Sequence, residues 1–153
     1  MSYSIKFQNF SSTEWTRSVN GSTIDAVLQN LNKVPGDYLK AHSGLEEIAA
    51  DQSALSFVAT GNIDLYCCWF NPKTSQRFGI QLWVPVQVFG IGSAPYWYVM
   101  TDNASINDNP NWISSGSDPA YQYNFQLSGF NINANPTAGH ASLDIAVTIQ
   151  DAK

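Results

Sequence analysis

IDLYCCWFNPKTSQRFGIQLWV, residues Ile63 to Val84, is the stretch whose reading decides the fold. Ile63, Leu65, Cys67 and Trp69 alternate with Asp64, Tyr66, Cys68 and Phe70. A period of two places successive side chains on opposite faces of a strand. Asn71-Pro72-Lys73-Thr74-Ser75 has turn chemistry. Phe78, Ile80, Leu82 and Val84 then resume the alternation. The segment reads as a hairpin with both faces largely apolar, as at the centre of a sandwich.

The same period recurs outward from this hairpin. Tyr3, Ile5 and Phe7 alternate with Ser4, Lys6 and Gln8, and a turn leads to a short strand at Trp15 to Val19. Leu55, Phe57 and Ala59 alternate, as do Tyr121, Tyr123, Phe125 and Leu127, and Leu143, Ile145, Val147 and Ile149. Ile24, Val27, Leu28, Leu31 and Val34 instead fall at helical spacing, capped by Ser22 and stopped at Pro35-Gly36. Ser43 with Glu46 resembles a capping box, which allows a helical turn within Lys40 to Gln52. Many short strands and few helices predict one mostly β domain over residues 1–153, an antiparallel β-sandwich with one or two short helices.

Composition narrows the function. The chain has 153 residues, 44% of them hydrophobic, enough for a core in one domain. Only 12% are charged, about half the usual share of roughly 25%. Ser, Thr, Asn, Gln and Gly must therefore cover much of the surface, which favours neutral hydrogen bonding over ion pairing. The net charge is −5 and no basic cluster occurs, which argues against nucleic acid and against purely electrostatic attraction to anionic lipid. Adjacent Cys67 and Cys68 point to opposite faces of a strand and read as small buried hydrophobes. With no apolar leader at the N-terminus, the expected location is cytoplasmic storage or non-classical secretion. Three Asn-x-Ser sequons, at Asn9, Asn20 and Asn103, are at the level expected by chance in a chain so rich in Asn and Ser.

Catalytic constellations do not assemble. The two histidines, His42 and His140, have no spacing that fits a metal site, and nothing ties Asp118 or a serine to His140. Gly90-Ile91-Gly92 lacks the third glycine of a phosphate loop. Glu46, Glu47, Asp64 and Asp144 are scattered, with no pair singled out for glycosidase chemistry. The expectation is a non-enzyme with no metal and no cofactor.

Aromatic residues are more informative. Trp83, Phe89, Tyr96, Trp97, Tyr98, Trp112, Tyr121 and Tyr123 all lie in the second half. Such rings suit both sugar stacking and a membrane headgroup layer. Trp83, Trp97 and Tyr98 serve equally well as core residues. The uncharged stretch Trp83 to Met100 is long enough to raise a membrane span, but Pro85, Gly90, Gly92 and Pro95 break it. Its ends read as strands, and Pro85 to Trp97 as the connection. Trp112 stands in a long polar loop from Asp102 to Pro119. The candidate ligand-binding residues are therefore Pro85, Phe89, Tyr96, Trp97, Trp112, Tyr121 and Tyr123.

Four segments in order give a resemblance. They are Tyr3 to Trp15, Ala59 to Phe70 with its Ala-Thr-Gly opening, Arg77 to Pro85 with the aromatic-rich loop after it, and Ala138 to Val147 with its Gly-His entry. Together they cover about half the chain, and the chain resembles the actinoporin-like β-sandwich superfamily. That superfamily groups sea-anemone pore-forming cytolysins with fungal fruit-body lectins. The cytolysins carry an amphipathic segment before the first strand, whereas here Met1 adjoins that strand, as in the lectins. Their phosphocholine pocket uses a Pro-led loop, matched by Pro85 and by Phe89 to Tyr98, and a tyrosine cluster loosely echoed by Tyr121 and Tyr123. Their membrane-facing basic residues are missing. The resemblance implies a lectin-like protein that binds a cell-surface glycan and forms homo-oligomers. The alternative it implies is a cytolysin, or a non-lytic relative, held peripherally at a membrane by a zwitterionic lipid headgroup.

Overall fold

The alternating segments fold into two five-stranded sheets packed face to face. The computed structural model describes residues 2–18, 32–51, 63–84, 96–103, 105–106, 122–139 and 142–153. In chain order the strands are β1 (Ser2–Asn9), β2 (Trp15–Arg17), β3 (Tyr38–Leu39), β4 (Gly44–Asp51), β5 (Ile63–Asn71), β6 (Gln76–Val84), β7 (Tyr96–Asn103), β8 (Tyr123–Leu127), β9 (Phe130–Gly139) and β10 (Ser142–Asp151). One sheet has the order β4-β1-β10-β9-β8 and the other β3-β2-β5-β6-β7.

The central hairpin forms as its pattern requires, with Cys67 of β5 opposite Ile80 of β6. Its turn closes through Asn71, whose Oδ1 accepts from the Lys73 N–H at 3.0 Å and whose carbonyl accepts from the Ser75 N–H at 2.9 Å. Ser75 takes the left-handed conformation, φ 58°, that ends the turn. Between the sheets, Phe7 of β1 meets Trp69 of β5 edge-on at 5.7 Å. Trp15 meets Phe78 at 5.2 Å and Phe130 at 4.9 Å in the same manner. Each such pair adds about 0.5–1.5 kcal/mol beyond its burial. The second sheet is buried on its outer face too. Tyr66, Cys68 and Met100 cluster there, and Gly79 lies between Cys68 and Met100 in the register.

Several expectations need correction. The first sheet is mixed, because β1 and β10 run parallel with Ile5 opposite Ile145. These strands lie at opposite ends of the described chain, so no tight turn forces them antiparallel. The suggested helical turn at Ser43 to Glu46 is the start of β4. His42 and Ser43 are left-handed, φ 59° and 88°, and their N–H groups bond to Ser11 and Asn9 carbonyls. Those bonds dock the chain against β1, where Ile48 pairs with Ile5. No helix occurs among the described residues. Most of the Ile24-to-Val34 stripe lies outside them. At its end Lys33 bridges to Ala49 and Val34 is 51% exposed, so that end is extended. Leu55 to Ala59 also lies outside the described residues. β7 begins at Tyr96, so the connection from β6 is shorter than Pro85 to Trp97.

β9 is an addition to the sequence reading. Phe130, Ile132 and Ala134 point inward and alternate with Asn131, Asn133 and Asn135. Pro136 sits within this strand opposite Ile145. β8 pairs only with residues 130–134, so in the described structure Pro136 lacks a β8 partner and its missing N–H interrupts no ladder on that side.

Candidate functional site

Strand parity sorts the aromatic candidates. On β7, Trp97 and Val99 face the core and Tyr96, Tyr98 and Met100 the opposite side. Trp97 is fully buried, 6.4 Å from the Tyr123 ring, so it packs between the sheets and is not at the surface. Tyr123 is half-buried and lies against the core beside Phe125, at 5.7 Å. Tyr96 keeps partial exposure and meets Tyr98 edge-on at 5.5 Å. Pro85, Phe89, Trp112 and Tyr121 lie outside the described residues. The structure thus packs the half-buried Tyr123 against Trp97 at the edge of the core and places Tyr96 on the other face of its sheet.

The same outer face carries a buried ion pair. Arg77 of β6 donates from Nε and Nη2 to the two Asp102 carboxylate oxygens of β7, at 2.9 and 2.7 Å. Its Nη1 lies 3.5 Å from Ser18 Oγ and 3.4 Å from the Ser105 carbonyl. Ser18 Oγ in turn donates to the Ile106 carbonyl at 2.5 Å. Every polar tip of the guanidinium serves to join β2, β6, β7 and residues 105–106. This reads as architecture.

Three of the scattered carboxylates, Glu46, Glu47 and Asp144, are likewise engaged locally, and the Asp64 side chain lies outside the described part of the structure. Glu46 accepts from the Gly36 N–H at 2.8 Å, Glu47 pairs with Lys33 at 3.0 Å, and Asp144 accepts from Ser4 Oγ at 2.6 Å. No cluster of three metal-ligating side chains occurs among the described residues. Burial pushes the Cys67 thiol well above its ordinary pKa, reinforced by neighbouring Cys68. A protonated, buried thiol is a poor nucleophile.

An open depression of about 730 Å³ lies on the outer face of the first sheet, over β8, β9 and β10. Asn124, Gln126, Asn131, Asn133, Thr148 and Gln150 provide its polar side chains. The register arranges them in rows. Gln8, Thr148, Asn133 and Asn124 are consecutive across four strands, and Gln150, Asn131 and Gln126 across three. Neighbours within a row are about 4.8 Å apart, and the rows about 7 Å. Asn133 Nδ2 donates to Asn124 Oδ1, which fixes one side chain against the next. None of the six polar lining residues is charged. Each amide both donates and accepts, which is what a hydroxyl-rich neutral ligand needs.

Rings and titratable groups do not mark this face in the sequence. A signal was present in NFQLSGFNINAN, Asn124 to Asn135. Amides recur at every second position on both sides of the Ser128-Gly129 turn, so one hairpin places them all on one face. No protein family matches the chain, and no curated protein matches its sequence.

Proposed function

We propose that this chain is a non-enzymatic recognition protein whose ligand is a neutral glycan. One observation carries the reading: an uncharged, amide-lined depression on a sheet face that packing does not require to be polar in this way. Asn is depleted in strands, yet here Asn and Gln fill alternate positions of two paired strands. Its volume lies within the roughly 300–1,000 Å³ common for ligand sites. The low share of charged residues and the resemblance to the fruit-body lectins of the actinoporin-like superfamily support the same class of ligand.

A zwitterionic lipid headgroup is the second reading, favoured by the partly exposed Tyr96–Tyr98 pair. Such phenols suit the headgroup layer of a peripherally bound protein. A glycan array run beside co-sedimentation with sugar-free phosphocholine vesicles separates the two. Glycan binding that is weakened by Asn131→Ala and Gln126→Ala, with no vesicle binding, supports the first reading. Vesicle binding lost in Tyr96→Ala, with a blank array, replaces it with the second. In either case size exclusion at several concentrations reports whether the protein forms the homo-oligomers that the resemblance implies.

A further inference from the structure

We propose that the amide face continues onto Phe10, and that the two together bind an unbranched neutral oligosaccharide across the strands with one sugar ring stacked on Phe10. This rests on the glycan reading and specifies the size and direction of its ligand. Phe10 follows β1 and extends its outward alternation of Ser4, Lys6 and Gln8. Its N–H donates to the Ile149 carbonyl at 2.8 Å, which holds it alongside the end of β10, next in line to Gln150. Phe10 is 44% exposed, one of four large hydrophobic residues that are exposed among the described residues. Leu45, opposite Gln8 on β4, is 53% exposed on the same face.

One end of the face is therefore apolar and the other end neutral and polar. From Phe10 through Gln150 and Asn131 to Gln126 the row crosses three strand spacings, about 14 Å. That length exceeds a single sugar ring. A pyranose has an apolar C–H face that suits Phe10 and hydroxyl edges that suit carboxamides. None of these four residues, nor Gln8 and Leu45 beside them, is charged, so a phosphate or sulfate group finds no counterion in the row. A lipid tail or apolar peptide would leave the amide half without hydrogen-bond partners.

The test is affinity electrophoresis of the whole chain in gels cast with mixed-linkage β-glucan, glucomannan or linear dextran, with unbranched mono- to hexasaccharides as competitors. Retardation by at least one polymer is expected. Phe10→Ala should weaken it roughly five- to tenfold, Phe10→Trp should preserve it, and tetrasaccharides should compete far better than monosaccharides. Phe10→Leu and a melting curve for each variant distinguish lost stacking from lost folding. If Phe10→Ala binds as the parent does while Asn131→Ala is weakened, the aromatic subsite is wrong and the glycan reading stands. If a monosaccharide competes as well as a tetrasaccharide, the extended ligand is wrong. If no polymer retards the parent protein, both proposals fail.

Discussion

Asp102→Ala is the perturbation whose cost the structure defines best. Arg77 is fully buried, and its guanidinium stays charged at any working pH. It meets both Asp102 oxygens at 2.9 and 2.7 Å, a fork geometry that maximises the pair's attraction. Truncating Asp102 removes the two shortest described contacts of a buried cation; Ser18 Oγ and the Ser105 carbonyl lie farther off, at 3.5 and 3.4 Å. Breaking a buried pair costs about 3–5 kcal/mol. The Asp102 side chain is 26% exposed, so water will reach the vacated position and lower the loss to about 2–3 kcal/mol. Urea unfolding should show a lower midpoint at unchanged slope, and the melting temperature should fall by roughly 5–10 °C. Asp102→Asn keeps one acceptor and should lose about half as much. Replacing both partners, Arg77→Met with Asp102→Leu, should recover part of the loss because the buried cation is removed along with its carboxylate. A loss under about 0.5 kcal/mol for Asp102→Ala would refute the reasoning, since it would mean the cation is solvated.

Other consequences can be checked with the same protein. Asn9 is fully buried, donates to the Thr13, Leu39 and Lys40 carbonyls and accepts from Ser11; Asn9→Ala should cost about 3 kcal/mol in urea unfolding, and the folded chain should resist glycosylation at this sequon. Both free cysteines are buried, so a thiol reagent should label neither in the native state and both in denaturant. The raised Cys67 pKa keeps its proton on the folded chain while the unfolded chain releases it, so its contribution to stability falls as pH rises through the ordinary thiol range; Cys67→Ala should flatten that part of the stability–pH curve. Gly129 sits at φ 87° with open space around its Cα, so Gly129→Ala should lose about 1–2 kcal/mol from backbone conformation alone, and Gly129→Asn less.

The central hairpin was legible because its apolar period of two runs unbroken to a turn that Asn71 and Pro72 announce. Burial on both of its faces could also be read, since Tyr66, Cys68 and Phe70 leave few polar positions. β4 stays ambiguous in the sequence because Ser43 and Glu46 carry a helical cap's residue types at a cap's spacing. Two left-handed residues and pairing with β1 decide otherwise, and neither is local to those side chains. β9 was hidden by Pro136, which a strand tolerates where no neighbour needs its N–H. For the site, residue type misled: Trp97 and Tyr96 are adjacent and chemically alike, and one step of strand parity sends the first into the core. The amide rows span β8, β9, β10 and β1, so they exist only once the sheet order is known. The alternation of Asn and Gln was visible beforehand, but the face they share with Phe10 was not.

The glycan proposal stands or falls on whether the amide face meets a neutral sugar. Side-chain NH₂ resonances of Asn124, Gln126, Asn131, Asn133 and Gln150, followed by ¹⁵N-correlated NMR during titration with a neutral tetrasaccharide selected by the electrophoresis, test this directly. These resonances should shift together and saturate, while the backbone signals of Trp97 and Val99 in the core stay in place. Shifts confined to Tyr96, Tyr98 and their surroundings, with the five amides unmoved, would contradict it.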